Sequence, residues 1–425
     1  MAPEIELTIH RLAKTGEGVG SHQGQSVFIE GVIPGERARV RLVPGTKPQR
    51  AALVQIIAPS PSRRTAACPL SDVCGGCGWL HLDEAAQRDA KLEIVLSSLE
   101  HLADIGRDEL QVLPIIASAR QLGYRRRAVM HVRGGRLCFF AKRSRRAVPI
   151  DRCPAMADPL TELPGRLTPF LATLASEIDE VHLLAEAGRS AFALFLRVAK
   201  SRAAHRIACE QAIAGLGLSG VVVVPTEGPP TTIGDPVLRM AADPDLEVPL
   251  YLRPDAFAQS NTEANLFLVR SAVASLSAQS GERVLELYCG NGNFTFRIAK
   301  AGATVTAVEQ SAVALELASR SAREGKITNV RFVQGDAGSV CDGMISERIS
   351  FDRMLVDPPR TGASRLGHWA DRLGVRQLTY VACDPAALAR DVGRLRAAGF
   401  GARTLQLVDL FPQTPHIEAV MAFAR

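Results

Sequence analysis

The sequence predicts a multidomain chain: a small OB-like N-terminal β-barrel, a central α/β domain with a cysteine cluster, and a C-terminal α/β domain of Rossmann-like architecture. Three observations predict it. At 425 residues the chain exceeds one compact domain. Residues 1–58 alternate apolar and polar positions between glycine turns. Residues 255–425 alternate near-continuous apolar runs with helical stretches, the mark of a parallel sheet covered on both faces. Pro and Asp punctuation at Asp243-Pro244-Asp245 and Arg253-Pro254-Asp255 puts a boundary near 245–255, so the expected units are 1–58, 59–250 and 251–425. Apolar residues at 47% and charged residues at 22% exclude disordered and collagen-like classes. A net charge of only +6 permits a nucleic-acid partner without arguing for one, so the distribution of charge carries the information. No apolar run approaches a membrane span, and the start Met1-Ala2-Pro3-Glu4 lacks a secretory pattern. The expected compartment is the reducing cytoplasm, where nine cysteines do not form a disulfide framework.

In the first unit, Ile5–Ile9, Ser26–Ile29 and Arg37–Leu42 read as strands, separated by Gly16-Glu17-Gly18-Val19-Gly20 and Pro34-Gly35. From Gly31 to Arg64 there are seven Lys/Arg against one acid, Glu36, which suits a nucleic-acid platform and equally a solvated barrel surface.

In the second unit, Asp83–Leu102 has helical periodicity, with Leu92, Val95, Leu96 and Leu99 on one face, and is a candidate to pack on the C-terminal unit. Leu110–Ile150 contains ten basic residues and no acid, including Arg125-Arg126-Arg127 and Lys142-Arg143-Ser144-Arg145-Arg146, with Tyr124, Phe139 and Phe140 interleaved. Such a segment repels itself unless a polyanion is near, which favours a nucleic-acid partner over a wet hairpin. Cys68, Cys74 and Cys77 are spaced C-x5-C-x2-C, and Cys153 follows in Asp-Arg-Cys-Pro. Four thiolates can hold zinc or a cubane cluster. Only one tight C-x2-C pair is present, which disfavours a zinc ribbon, and the spacing differs from the C-x3-C-x2-C of radical enzymes. Flanking glycines and the distant Cys-Pro favour iron–sulfur, with zinc left open. Cys138, Cys209, Cys289 and Cys341 have no patterned partners and read as ordinary thiols.

In the third unit, strands are expected at Val284–Leu287, Thr304–Val308, Val330–Val333, Met354–Val356 and Leu378–Ala382. The first leads into Tyr288-Cys289-Gly290-Asn291-Gly292-Asn293, a tight turn that admits a ligand to backbone N–H groups. The third glycine of a dinucleotide fingerprint is absent. Glu309, ending the second strand, can accept two ribose hydroxyls, and Asp336, after the third, can read an adenine edge. This order resembles the S-adenosylmethionine-dependent methyltransferase fold. Asp357-Pro358-Pro359-Arg360-Thr361-Gly362 follows the fourth strand, its prolines stiffening the turn that holds Asp357. Cys383 ends the fifth strand, and Glu418 sits among apolar neighbours near the end of the sequence. A thiol and a carboxylate beside a methyl donor suit carbon 5 of uracil. Thiolate addition at carbon 6 makes carbon 5 nucleophilic, and a base then removes its proton so that the thiol can leave. Cys383 fits the nucleophile, Glu418 the proton acceptor and Asp357 a positioning group. Amino-methyltransferases with similar Asp-Pro-Pro turns need no cysteine.

With these motifs in place, the chain resembles the RNA 5-methyluridine methyltransferases over nearly its whole length, specifically the iron–sulfur branch acting on 23S rRNA. The motifs are Asp357–Gly362, Val381-Ala382-Cys383-Asp384-Pro385, His416-Ile417-Glu418-Ala419-Val420 and Phe257-Ala258-Gln259-Ser260-Asn261. The resemblance implies a TRAM barrel, a class I S-adenosyl-L-methionine-dependent methyltransferase domain, and a 4Fe–4S cluster on Cys68, Cys74, Cys77 and Cys153. It implies cofactor binding by Gln259, Tyr288, Gly290, Asn293, Glu309, Asp336 and Asp357. Tyr288 departs from the family's common phenylalanine, and Asp336 from its frequent Asn. The implied partner is RNA, with no membrane and no obligate protein partner. The alternatives are a tRNA 5-methyluridine methyltransferase and a non-catalytic iron–sulfur RNA-binding sensor.

Overall fold

The structure is a computed structural model that describes residues 3–172, 177–186, 191–240 and 243–425. Strands β1 (Glu4–Leu12), β2 (Gly18–His22), β3 (Gln25–Ile29), β4 (Arg37–Val43) and β5 (Arg50–Ala58) close into a barrel in the order β1-β2-β3-β5-β4. Alternation decides which side chains fill it: Leu7, Ile9, Val27, Ile29, Ala38 and Val40 are buried while their neighbours face out. Its basic residues do not all face solvent alone. Arg39 and Arg41 pair with Glu6 and Glu4 across β1 and β4, and Arg63 reaches the fully buried Glu36.

Helix α1 (Glu84–Ala103) starts where the Asp83 carboxylate accepts the Ala86 N–H at 2.9 Å and ends at Asp104 in the left-handed region. Its apolar face, including Val95 and Leu99, shares a core with the C-terminal unit. The two-residue strand β6 (Gln111–Val112) then adds to the edge of the C-terminal sheet. The span 59–250 is therefore not one structural body, because an amphipathic helix goes to whichever core completes its stripe.

The central sheet runs β13-β12-β11-β10-β7-β8-β9. Its strands are β7 (Arg127–Arg133), β8 (Arg136–Phe140), β9 (Ala147–Pro149), β10 (Ile178–Ala185), β11 (Phe192–Val198), β12 (Gly220–Pro225) and β13 (Thr231–Gly234). Helices α2 (Leu163–Ala172) and α3 (Ala203–Leu216) accompany it, α3 crossing between the parallel pair β11 and β12. The acid-free basic segment lies mostly here, and part of its charge is balanced from elsewhere in the fold. Acids from distant segments reach it: Arg120 pairs with Glu263, Arg133 with Asp179, Arg136 with Asp151, and Arg143 with Glu17 and Glu30 of the barrel. Arg143 thereby ties the barrel to the central sheet.

A short hairpin, β14 (Leu238–Met240) and β15 (Leu250–Leu252), leads to α4 (Thr262–Leu276). The C-terminal layer follows: β16 (Arg283–Leu287), α5 (Thr295–Lys300), β17 (Thr304–Glu309), α6 (Ala312–Glu324), β18 (Val330–Gln334), α7 (Ala337–Ser346), β19 (Arg353–Val356), α8 (Leu366–Arg372), β20 (Gln377–Ala382), α9 (Pro385–Ala397), β21 (Gly401–Leu407) and β22 (Ala419–Ala424). The sheet order is β18-β17-β16-β19-β20-β22-β21-β6. The five strands expected from sequence are mutually parallel, and β22 inserts antiparallel beside β20. Strand order reverses at β16, and the loops beyond its carboxyl end open a crevice there. Among the described residues no helix is long and apolar enough to cross a membrane.

Candidate active site and cysteine cavity

The crevice is a cleft of about 1760 Å³ of open space at the carboxyl ends of the parallel strands. It brings together Gln259, Tyr288, Gly290, Glu309, Asp336, Asp357, Cys383 and Glu418. The glycine turn after β16 has positive φ at Tyr288 (63°), Gly290 (57°) and Gly292 (91°). A Cβ on Gly292 would lie 2.5 Å from the Phe296 ring, so only glycine fits. Glu309 holds this turn: its carboxylate accepts the Gly290 N–H at 3.0 Å and the Ser311 N–H at 2.8 Å. Asp336 caps α7 by accepting the Ser339 N–H at 3.0 Å, so a helix cap and a strand-end acid coexist in one residue. Asn293 does not line the main cleft. It faces a side recess shared with Gln259 and Asp357, and its amide exchanges hydrogen bonds of 2.8 and 3.0 Å with Asn265.

At the far end, Cys383 follows β20 and precedes Asp384, whose carboxylate caps α9 by accepting the Ala387 N–H at 2.8 Å, with Pro385 opening the helix. Glu418 precedes β22. The antiparallel register pairs Ala382 with Ala419, which sets Cys383 and Glu418 opposite one another as the two strands leave the sheet. Asp357 follows β19, one strand over. Burial pushes the Asp357 carboxyl up to about 7. Burial, then the Asp357 charge, raises Glu418 well above the carboxylate range, against the pull of Arg360 and Lys91. Burial, then Glu418 and Asp357, pushes the Cys383 thiol up to about 12, with Arg360 opposing. Without a ligand the cleft thus keeps its thiol protonated and disfavours two ionised carboxylates together.

Sequence reasoning did not single out several cleft residues as site residues: Arg125, Arg127, Phe257, Arg360, Phe411 and His416. Phe257 and Arg360 stood inside quoted motifs, and Phe257 is 67% exposed. His416 is held neutral by burial, its value lowered to about 4, and its ring meets Phe411 edge-on at 5.7 Å. Nothing in their spacing brought Lys91 and Asp409 together as a buried pair at 2.6 Å.

Cys68, Cys74, Cys77 and Cys153 all line a second cavity, with Leu70, Leu80, Phe139, Ile150 and Met156 as apolar walls. Burial and the neighbouring thiols raise Cys74 and Cys153, and burial pushes Cys77 up to about 11. Backbone N–H groups of Gly76, Ala155 and Met156 point at the sulfurs of Cys74 and Cys153. Among the described residues no three His, Cys, Asp or Glu side chains converge on a single ion. Convergence on a point and lining one cavity are different geometries; four thiols around an apolar space, without carboxylate or histidine, fit a soft multi-atom centre better than one hard cation. Cys138, Cys209, Cys289 and Cys341 are buried elsewhere.

A parallel sheet whose order reverses at a glycine turn, with a thiol and two carboxyls across the cleft from that turn, defines a methyltransferase of Rossmann-like fold. The model of the tRNA (uracil-5-)-methyltransferase family matches residues 247–425. Two 23S rRNA (uracil(1939)-C(5))-methyltransferases RlmD are each 33% identical to the chain. The one from Pseudomonas putida aligns over 98% of this chain and 93% of its own length, and that from Shewanella sp. (strain MR-7) over 100% and 96%. The crystal structure of Pyrococcus abyssi tRNA (uracil-54, C5)-methyltransferase in complex with S-adenosyl-L-homocysteine shares the fold, with a TM-score of 0.74 over 99% of this chain and all of that one, at 22% identity. The chain belongs to the RNA uracil-C5-methyltransferase family and is an S-adenosyl-L-methionine-dependent enzyme.

Proposed function

We propose that the protein methylates carbon 5 of a uridine in 23S rRNA through a covalent adduct with Cys383. The observation that carries this is the opposition of Cys383 and Glu418 across β20 and β22, at the end of a cleft whose other end is the glycine turn. S-adenosyl-L-methionine, when bound, supplies an electrophilic methyl group on a cationic sulfur. Glu309 is suited to its ribose, Asp336 to its adenine, and Gln259, Tyr288 and Gly290 to the remaining walls, with Asn293 bracing them through Asn265. Asp357 orients the reactants from between the two ends.

Cys383, as thiolate, forms a bond to carbon 6 of the pyrimidine, and the ring's electron pair moves toward carbon 5, which takes the methyl. Glu418 then accepts the proton from carbon 5, the double bond re-forms and the carbon–sulfur bond breaks. Burial raises its proton affinity, while Arg360 and Lys91 favour the carboxylate that accepts the proton. Arg360, the cation facing both groups, opposes the upward shift of the thiol.

The 4Fe–4S cluster is assigned to Cys68, Cys74, Cys77 and Cys153. It would supply charge and rigidity at the RNA-facing side, since methyl transfer needs no electrons. The barrel (1–58) and the basic central surface are assigned to RNA binding, residues 251–425 to catalysis, and the compartment is the cytoplasm. The test is methyl incorporation into 23S rRNA transcripts, with transfer RNA as competitor. Wild type is expected to label one uridine of 23S rRNA, and Glu418→Gln to accumulate an adduct visible by denaturing gel. No label in either RNA abandons the reading, and normal turnover by Glu418→Gln removes Glu418 as the base.

A further inference from the structure

The loop between β21 and β22, residues 408–418, delivers Glu418 and also places Phe411 and His416 in the cleft. What holds this loop comes mainly from outside the Rossmann-like layer. One face of α1 carries Gln87 and, one turn on, Lys91, both buried. Gln87 accepts the Gln413 N–H at 2.8 Å and donates to the Gln413 side chain at 3.0 Å. The Lys91 ammonium donates to Asp409 Oδ1 at 2.6 Å and to the Phe411 carbonyl at 2.9 Å. The Tyr124 hydroxyl donates to the Pro412 carbonyl at 3.0 Å. The Val408 N–H donates to the Glu418 carbonyl at 2.9 Å, so Asp409 is one residue from the backbone bond that seats the base. Asp409 Oδ2 is buried without a hydrogen-bond partner, leaving Lys91 as the group that balances this carboxylate.

We propose that Lys91 is a positioning residue for the reaction. Its ammonium fixes Asp409 and the Phe411 carbonyl, and through them holds Glu418 opposite Cys383. The inference rests on the proposed reading of Glu418 as the base. A buried lysine costs desolvation that a leucine at the same helical position would avoid, so its place is explained by what it grips. The charges facing Glu418 are the Asp357 carboxyl on one side and Arg360 and Lys91 on the other, with His416 neutral beside them. Lys91 is thus one of two cations that favour the carboxylate form the base needs.

The experiment compares wild type, Lys91→Met, Lys91→Arg, the double variant Lys91→Met/Asp409→Asn and Glu418→Gln in single turnover on a 23S rRNA transcript. It follows methyl transfer and decay of the covalent adduct against pH. The double variant removes both buried charges and so keeps the fold testable where Lys91→Met alone unfolds. Expected are S-adenosyl-L-methionine binding within about twofold of wild type, adduct decay slowed about tenfold or more, an acid limb moved to higher pH, and partial recovery in Lys91→Arg. A merely structural lysine would lower the melting temperature without moving the acid limb. Wild-type adduct decay and pH profile in the folded double variant overturn the positioning role. Should Glu418→Gln turn over normally, the reading of the base fails instead, so the two failures are told apart.

Discussion

The catalytic cleft and the cysteine cavity both present buried thiols, yet they are built for different charges. In the cavity, four thiols stand among apolar walls with no carboxylate, and the half-buried Arg125 lines its edge. In the cleft, one thiol faces two carboxyls, with Arg360 acting on Cys383 and Glu418 and Lys91 on Glu418 as the opposing cations. Burial raises the thiols in both, Cys77 to about 11 and Cys383 to about 12. Neither is a free thiolate in the ligand-free protein, so in each place the positive charge that stabilises the anion must come in part with what binds. Cavity thiols have only each other for like-charge company, whereas Cys383 has groups that can also take a proton. That contrast fits the proposed roles, a site that holds in the cavity and a site that reacts in the cleft. Arg125 lines both spaces and is where they meet.

The sharpest way to break the comparison is to remove a sulfur from each side. Cys383→Ala is expected to cut methylation by roughly a thousandfold or more while leaving metal content intact, measured by methyl incorporation and iron analysis. Cys77→Ser is expected to do the reverse in kind. Iron is expected to fall from about four per chain toward zero, with a lower melting temperature and methyl transfer reduced far less than in Cys383→Ala. Equal loss of activity in both would erase the distinction.

A smaller effect concerns pH. Asp357 is raised from the usual range to about 7 in the folded, ligand-free protein. The folded state therefore holds a proton that the unfolded chain releases near pH 4, so stability falls as pH rises between those values, by at most about 1.4 kcal/mol per unit for this group. Asp357→Asn should flatten the slope of melting temperature against pH over that window, whereas Cys77→Ser should leave it in place.

Smallest are the surface arginines. Arg145 and Arg146 lie in the same basic run as Arg143 but, unlike it, form no ion pair among the described residues. Arg145→Ala is expected to weaken RNA binding a few-fold and lower the salt slope by about 1. Arg133→Ala, which frees Asp179 and the Val132 carbonyl, should change neither.

Much of this was legible in the chain because each motif is local. The barrel strands, the five parallel strands and their glycine turn follow from period-two alternation, apolar runs and turn chemistry within a few residues. The carboxyl-end positions of Glu309, Asp357 and Cys383 follow from the same reading, since a residue after a buried parallel strand points into the crevice. The acids that pair with Arg120, Arg133, Arg136 and Arg143 of the basic segment could not be read locally, because they lie 15 to 143 residues away in sequence, from Asp151 beside Arg136 to Glu263 beside Arg120. Asn293 turned to Asn265 for the same reason, a partner across the fold, whereas the amphipathic stripe of α1 already marked it as a candidate for the C-terminal core.

By itself the sequence determined which chemistry is present and at which strand ends, because strand, turn and cap preferences act over a handful of residues. Only the tertiary structure decided that Cys153 faces Cys68, Cys74 and Cys77, that Cys383 faces Glu418 through the β20–β22 register, and that Lys91 grips the loop between them. Those pairings depend on how separate amphipathic surfaces close on one core, a property of the whole packed chain that no local spacing contains.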